Sequence, residues 1–219
     1  MALQDYRKAF LDIYERLYSY YGPQGWWPGR TRFEVIVGAI LTQNTAWTNV
    51  EKAIGNIRKA RLLSPAALKK MPDKALARLI RPAGYYNIKA KRLKNFMRYL
   101  FSRYGGSLDR VSRRPTGDLR KELLSVNGIG PETCDSILLY AFGRPVFVVD
   151  AYTKRIFSRH RFFSENADYH VAQAFFMDSL AHEPGMFNEY HALIVALGKE
   201  YCRKRPRCDA CPLKGFKSA

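Results

Sequence analysis

The stretch that decides the fold is Leu123–Phe142, LLSVNGIGPETCDSILLYAF. Apolar residues recur at helical spacing on both sides of a short turn, so the segment reads as two helices, over 118–126 and 131–142, joined by a glycine-bearing corner. Glycine reaches backbone angles that a Cβ forbids, so Gly128 and Gly130 permit a tight turn with several N–H groups facing one way. Pro131 stands in the first turn of the second helix, where its missing N–H costs nothing, and that helix aims its N-terminus at the turn. A phosphate is the natural occupant of such a corner. An ordinary helix-turn-helix corner also uses glycine, so the turn alone leaves both readings open.

Outward from this corner the chain continues as helices. Thr31 followed by Glu34 makes a capping box, and Phe33, Val37, Ile40 and Leu41 then recur at helical spacing. Ser64 with Pro65 starts another helix. The stretch Ala90–Tyr104 puts Leu93, Phe96, Met97 and Leu100 on one face, and 152–160 reads as a further helix. Only VFVV, Val146–Val149, has strand-like chemistry, and it is too short to support a sheet. The expected class is therefore all-α. No internal repeat or low-complexity linker is visible, which favours two packed helical lobes. One would be 31–142, with the hairpin at about 118–142; the other would combine 1–30 with 143–219.

Lysine and arginine number 37 against 19 acidic residues in 219, a net charge of +18. That balance favours a polyanionic partner without naming it, since ribosomal, membrane-surface and nucleic-acid proteins share it. No apolar run approaches the roughly 18 residues of a membrane span, and the N-terminus lacks an apolar signal core. The expectation is a soluble intracellular protein with no membrane partner. Three of the four cysteines crowd into the last 18 residues, more like a metal site in a reducing compartment than a disulfide framework.

The segment LLSVNGIGPETCDSILLYAFGRPVFVVDAYTKR, Leu123–Arg155, resembles the helix-hairpin-helix and Gly/Pro/Asp signature of the endonuclease III superfamily of DNA glycosylases. The stretches RFEVIVGAILTQNT, GYYNIKAKRL and CRKRPRCDACP follow the order of that family, so the likeness covers nearly the whole chain. The resemblance implies the HhH-GPD fold, two helical lobes with the hairpin and a C-terminal cysteine loop. It implies that Asn127, Gly128, Ile129 and Gly130 grip the DNA backbone and that Asp150 is the catalytic aspartate. Cleaving an N-glycosidic bond builds positive charge on the sugar, which a carboxylate stabilises while taking a proton from attacking water. The plainer role for Asp150 is to cap the helix that begins near Ala151.

Family members with lyase activity carry a lysine where Glu132 stands here. A carboxylate forms no imine, so that route is expected to be weak or absent; an acid in a helix's first turn is also simply favoured by the helix dipole. By the same resemblance, Gln43 and Tyr85 would be plug and wedge in the two DNA-probing loops, with Asn44 and Asn87 beside them. WWPG resembles an element of the methylpurine branch, the 3-methyladenine glycosylases, which makes Trp26, Trp27 and Trp47 candidates for a π-rich slot holding a cationic base. Lys89, Lys91 and Arg92 are candidate phosphate contacts.

Cys202, Cys208 and Cys211, spaced C-x5-C-x2-C, follow the start of the superfamily's 4Fe-4S loop, but Lys217 stands where a fourth cysteine would be expected. The expected cofactor is therefore a 4Fe-4S cluster held by these three cysteines and a foreign fourth ligand, with a zinc site and a vestigial loop as the alternatives, and Cys134 reads as a buried apolar residue. Lys199 matches a structural lysine of cluster-lacking members of the methylpurine branch. No organic cofactor is expected. The expected function is a monofunctional, monomeric DNA N-glycosylase that removes alkylated purines from damaged double-stranded DNA, cytoplasmic and associated with the nucleoid. The alternatives are a glycosylase for oxidised or mismatched pyrimidines and a DNA-binding hairpin module without chemistry.

Overall fold

A computed structural model of the chain describes residues 3–216. Its helices are α1 (Leu3–Tyr21), α2 (Arg32–Leu41), α3 (Trp47–Lys59), α4 (Pro65–Lys70), α5 (Asp73–Leu79), α6 (Tyr86–Tyr104), α7 (Leu108–Ser112), α8 (Thr116–Leu124), α9 (Pro131–Ser136), α10 (Ala151–Arg159), α11 (Tyr169–Ser179) and α12 (Pro184–Glu200). No strand occurs among the described residues, and the class is all-α. The chain divides into two compact units, Pro28–Phe142 and Met1–Trp27 with Gly143–Ala219.

In the unit Pro28–Phe142, α2 is the central helix, and every residue from Phe33 to Leu41 is buried. Thr31 caps it by accepting the Glu34 N–H at 3.1 Å. The second half of the capping box is absent, because the Glu34 carboxylate pairs with Arg58 instead. Helix α6 begins four residues earlier than its apolar face predicts and stops at Gly105, a left-handed residue with φ +61°. The hairpin's first helix is shifted by two residues, to Thr116–Leu124. Its second helix departs further from expectation, because α9 ends at Ser136 and Ile137–Ala141 forms a π-helical turn. That turn packs on α2 with Ile137, Leu138, Leu139 and Ala141 all buried.

The other unit is held by an aromatic core. Phe147 stacks on Phe176 with centroids 3.9 Å apart, and Phe10 meets Phe176 and Phe157 at 4.7 and 5.0 Å. Each such side chain contributes on the order of 2 kcal/mol through burial alone. The VFVV segment is extended but has no partner strand. Side chains satisfy its backbone instead: Gln173 Nε2 donates to the Phe147 carbonyl at 2.6 Å, and the Val149 N–H donates to the Tyr169 hydroxyl at 3.4 Å. These bonds carry a buried, non-sheet segment into α10 and fix where Asp150 stands.

Candidate functional site

The corner at Asn127–Gly130 is as tight as its glycines require. Gly128 has φ +96°, and a Cβ there would fall 2.3 Å from Cγ of Arg92. Asn127 and Gly130 are exposed, and the Asn127 carbonyl accepts from Asn95 at 2.8 Å. The N–H groups of Gly128 and Gly130 donate to no backbone carbonyl among the described residues. Ile129 corrects the expectation of four outward groups: its side chain is buried and its N–H donates to the Val126 carbonyl at 3.0 Å. It anchors the turn.

Behind the corner, Asp135 is 0% exposed and makes a two-point ion pair with Arg120, at 2.7 and 3.0 Å. This fork joins the two hairpin helices and was not legible from spacing. Cys134 is fully buried, and burial pushes its thiol pKa up to about 12. It is an apolar core residue. Glu132 is exposed in the first turn of α9.

The loop between α2 and α3 is tied to the hairpin. Gln43 Nε2 donates to the Thr133 hydroxyl at 2.8 Å and to the Gly128 carbonyl at 3.1 Å, while Gln43 Oε1 accepts from Arg92. Gln43, expected as a projecting plug, therefore spends its carboxamide inside its own unit. Asn44 is exposed with φ +54°. Tyr85, the expected wedge, is 70% exposed in left-handed backbone at the start of α6, with exposed Asn87 and Ile88 beside it. Trp47 is half-buried in the first turn of α3.

The three basic candidates separate. Lys91 is exposed. Arg92 is half-buried and engaged with Gln43. Lys89 corrects the expectation of a phosphate contact, because it is only 1% exposed and its Nζ donates to the carbonyls of Ala83 and Leu41 at 2.6 and 2.9 Å. Burial first, and the Arg92 charge second, bring its pKa down to about 8. An i,i+3 reading of α6 puts lysines on an outer face; it does not show that loop carbonyls wait behind one of them.

In the other unit, Asp150 caps α10. Its Oδ1 accepts the Thr153 N–H at 2.7 Å and the Thr153 hydroxyl at 2.9 Å. The cap is thus real, and it occupies one oxygen. The second oxygen, Oδ2, lies 3.7 Å from Nε2 of His191, and the Asp150 side chain keeps 14% exposure. His191, on α12, is buried; burial pushes its pKa below the ordinary value, against the upward pull of Asp150. No local sequence signal pairs these two residues. Chemically, a carboxylate with one oxygen committed to a helix and one still able to face a ligand can stabilise nearby positive charge or accept a proton.

Trp26 and Trp27 are half-buried and meet edge to face, with centroids 5.6 Å apart. Lys199 Nζ lies 5.7 Å from the Trp26 ring centroid, within cation–π range. Trp47 belongs to the other unit.

The family resemblance implies a cluster at the cysteine loop. Cys208 is exposed, Cys202 and Cys211 are half-buried, and Lys217 lies outside the described residues. Burial pushes the Cys211 thiol up, as do its neighbours Cys202 and Cys208. Among the described residues no three His, Cys, Asp or Glu side chains converge to hold a metal ion. The described residues alone supply no such metal-binding group. Arginines from α10 bind the loop. Arg155 donates to the carbonyls of Cys202 and Gly198 at 2.7 and 3.0 Å. Arg159 donates to Cys202 Sγ at 3.3 Å and to the carbonyls of Arg203 and Lys204 at 2.6 and 3.1 Å.

A sequence model described as HhH-GPD superfamily base excision DNA repair protein matches residues 37–182. The chain is 51% identical over 205 residues to a provisionally named DNA repair glycosylase of Methanocaldococcus jannaschii, covering 93% of each. Among solved structures, the H. pylori 3-methyladenine DNA glycosylase bound to 1,N6-ethenoadenine aligns with TM-score 0.75 and 27% identity, over 91% of this chain and 98% of that one. A non-covalent endonuclease III–DNA complex aligns with TM-score 0.80 at 21% identity, over 94% and 92%, a likeness of fold alone.

Proposed function

The chain belongs to the HhH-GPD superfamily of base excision DNA repair proteins and is a DNA glycosylase, and on that premise we propose that it is a monofunctional enzyme that releases alkylated purines from double-stranded DNA, with Asp150 as the catalytic carboxylate. The observation that carries this reading is the division of labour in Asp150: Oδ1 is fixed by Thr153, and Oδ2 is left for chemistry. A flipped nucleotide placed against Oδ2 would have its developing sugar cation stabilised, and the attacking water would give up a proton to the same oxygen.

The substrate class is supported by the Trp26–Trp27 pair in the same unit as Asp150 and by the likeness to the H. pylori enzyme. An alkylated purine is cationic and electron-poor, so it stacks well on indole and leaves without much acid assistance. The absence of lyase chemistry is supported by Glu132, which offers no amine. The hairpin corner and Lys91 would contact the phosphate backbone, with Tyr85 as the exposed wedge. Acting on genomic DNA would place the enzyme at the nucleoid.

The test compares base release from three duplexes: one methylated, one carrying oxidised pyrimidines and one mismatched. Release of methylated purines alone is expected. Release confined to oxidised or mismatched pyrimidines would overturn the substrate assignment, and release of nothing from any duplex would favour a binding module.

A further inference from the structure

His191 is fixed against Asp150 by tight packing between the helices that carry them. Helices α10 and α12 make close contact, and Gly198 allows it, since a Cβ there would fall 2.3 Å from Cδ1 of Tyr152. The result is a buried imidazole, 5% exposed, with Nε2 3.7 Å from the carboxylate oxygen that the helix cap does not use. Resting on the reading of Asp150 as the catalytic carboxylate, we propose that His191 is a positioning residue for Oδ2, and that Asp150 serves catalysis only while this imidazole is uncharged.

The electrostatics follow from the geometry. An uncharged imidazole walls in Oδ2 and leaves its negative charge available. A protonated one forms an ion pair with it at this distance, neutralising the charge that a sugar cation would need. Among the elements packed on α12, α10 presents Asp150 to His191, and that carboxylate pulls its pKa upward. Helix α1 presents Asp12 and Tyr14, but these act on the neighbouring Tyr190. Burial is the larger influence and keeps the imidazole uncharged at neutral pH.

The experiment is a pH profile of single-turnover base release from methylated duplex for the wild type, His191→Gln and His191→Asn, beside an NMR titration of the four histidines in the wild type and Asp150→Asn. The wild-type rate should fall only on the acid side of the ordinary imidazole range, by up to about tenfold per pH unit, as one required deprotonation of a group with a lowered pKa dictates. The glutamine and asparagine variants should be several-fold slower at neutral pH and should lose that limb. The His191 pKa should drop further in Asp150→Asn, which lacks the negative charge. An unchanged acid limb in both histidine variants, or a His191 pKa indifferent to Asp150→Asn, would overturn the inference even if the variants fold poorly, because the titration uses native histidine. Full base release by Asp150→Asn would instead overturn the catalytic reading on which the inference rests.

Discussion

Gln43 donates a hydrogen bond to the Thr133 hydroxyl at 2.8 Å, and that bond ties the loop after α2 to the second helix of the hairpin. A plug that enters the DNA stack must first let go of it. Thr133→Val removes the acceptor with little change of shape and should lower stability by about 1 kcal/mol, while affinity for a duplex with an abasic site should rise, since the bond no longer has to break. Gln43→Ala should lose comparable stability and also bind such a duplex several-fold more weakly. Thermal unfolding and fluorescence anisotropy read the two quantities. If Gln43→Ala binds as well as the wild type, the glutamine is a strut and nothing more.

Lys89 and Lys91 are two residues apart and should behave differently. Lys89→Met strands the carbonyls of Leu41 and Ala83 and should cost about 1–3 kcal/mol. Lys91→Ala should leave stability unchanged and weaken DNA binding evenly across sequences, reducing the salt slope by about one. A stability loss in Lys91→Ala, or none in Lys89→Met, would reverse the assignment.

Glu132 predicts the outcome of borohydride trapping. Incubation of the enzyme with substrate duplex and borohydride should give no covalent adduct, because no amine stands in the first turn of α9. A trapped protein–DNA species would contradict the monofunctional reading and direct attention to another lysine.

Acid should destabilise the fold through two histidines, the half-buried His160 and the buried His191. His160 and His191 both have pKa values lowered by burial, so the unfolded chain binds these protons near pH 6.5 while the folded chain binds them only at lower pH. Within that window the unfolded state holds more protons, and stability rises with pH. Urea unfolding should therefore give a midpoint that falls as pH drops from about 7 towards 5. In His191→Gln the slope should be shallower; an unchanged slope would remove His191 from the explanation.

The cysteine loop is held by Arg155 and Arg159. Treating the purified protein with an iron and zinc chelator should leave its unfolding midpoint where it was, whereas Arg155→Ala, which strands the carbonyls of Cys202 and Gly198, should lower it by about 1–3 kcal/mol in stability. A midpoint that collapses on chelation would show that metal, not arginine, organises the loop.

The hairpin was legible because its signal is local. Two glycines, a proline and flanking apolar spacing fall within Leu123–Phe142, and helical periodicity likewise announced α2 and α6. The cap at Asp150 was legible for the same reason, since cap and capped helix are contiguous. What escaped depends on residues that meet only after folding. The carbonyls that bury Lys89 come from the turn before α6 and from the end of α2. His191 reaches Asp150 from a distant helix, and Arg155 and Arg159 reach the cysteine loop across α10 and α12. In each case the spacing of one element could not show what another would bring to it. Ile129 is a milder instance: its position in the turn was clear, but which way its N–H pointed depended on closure onto Val126.

If the charge of one carboxylate drives base release, Asp150→Asn isolates it, because asparagine caps a helix about as well as aspartate. The measurement is single-turnover release of methylated purine by the wild type and by this variant at pH 7.5, with unfolding midpoints recorded for both. The variant should be slower by about 10²- to 10³-fold at an essentially unchanged midpoint. A variant that releases the base at the wild-type rate would contradict a catalytic role for that charge.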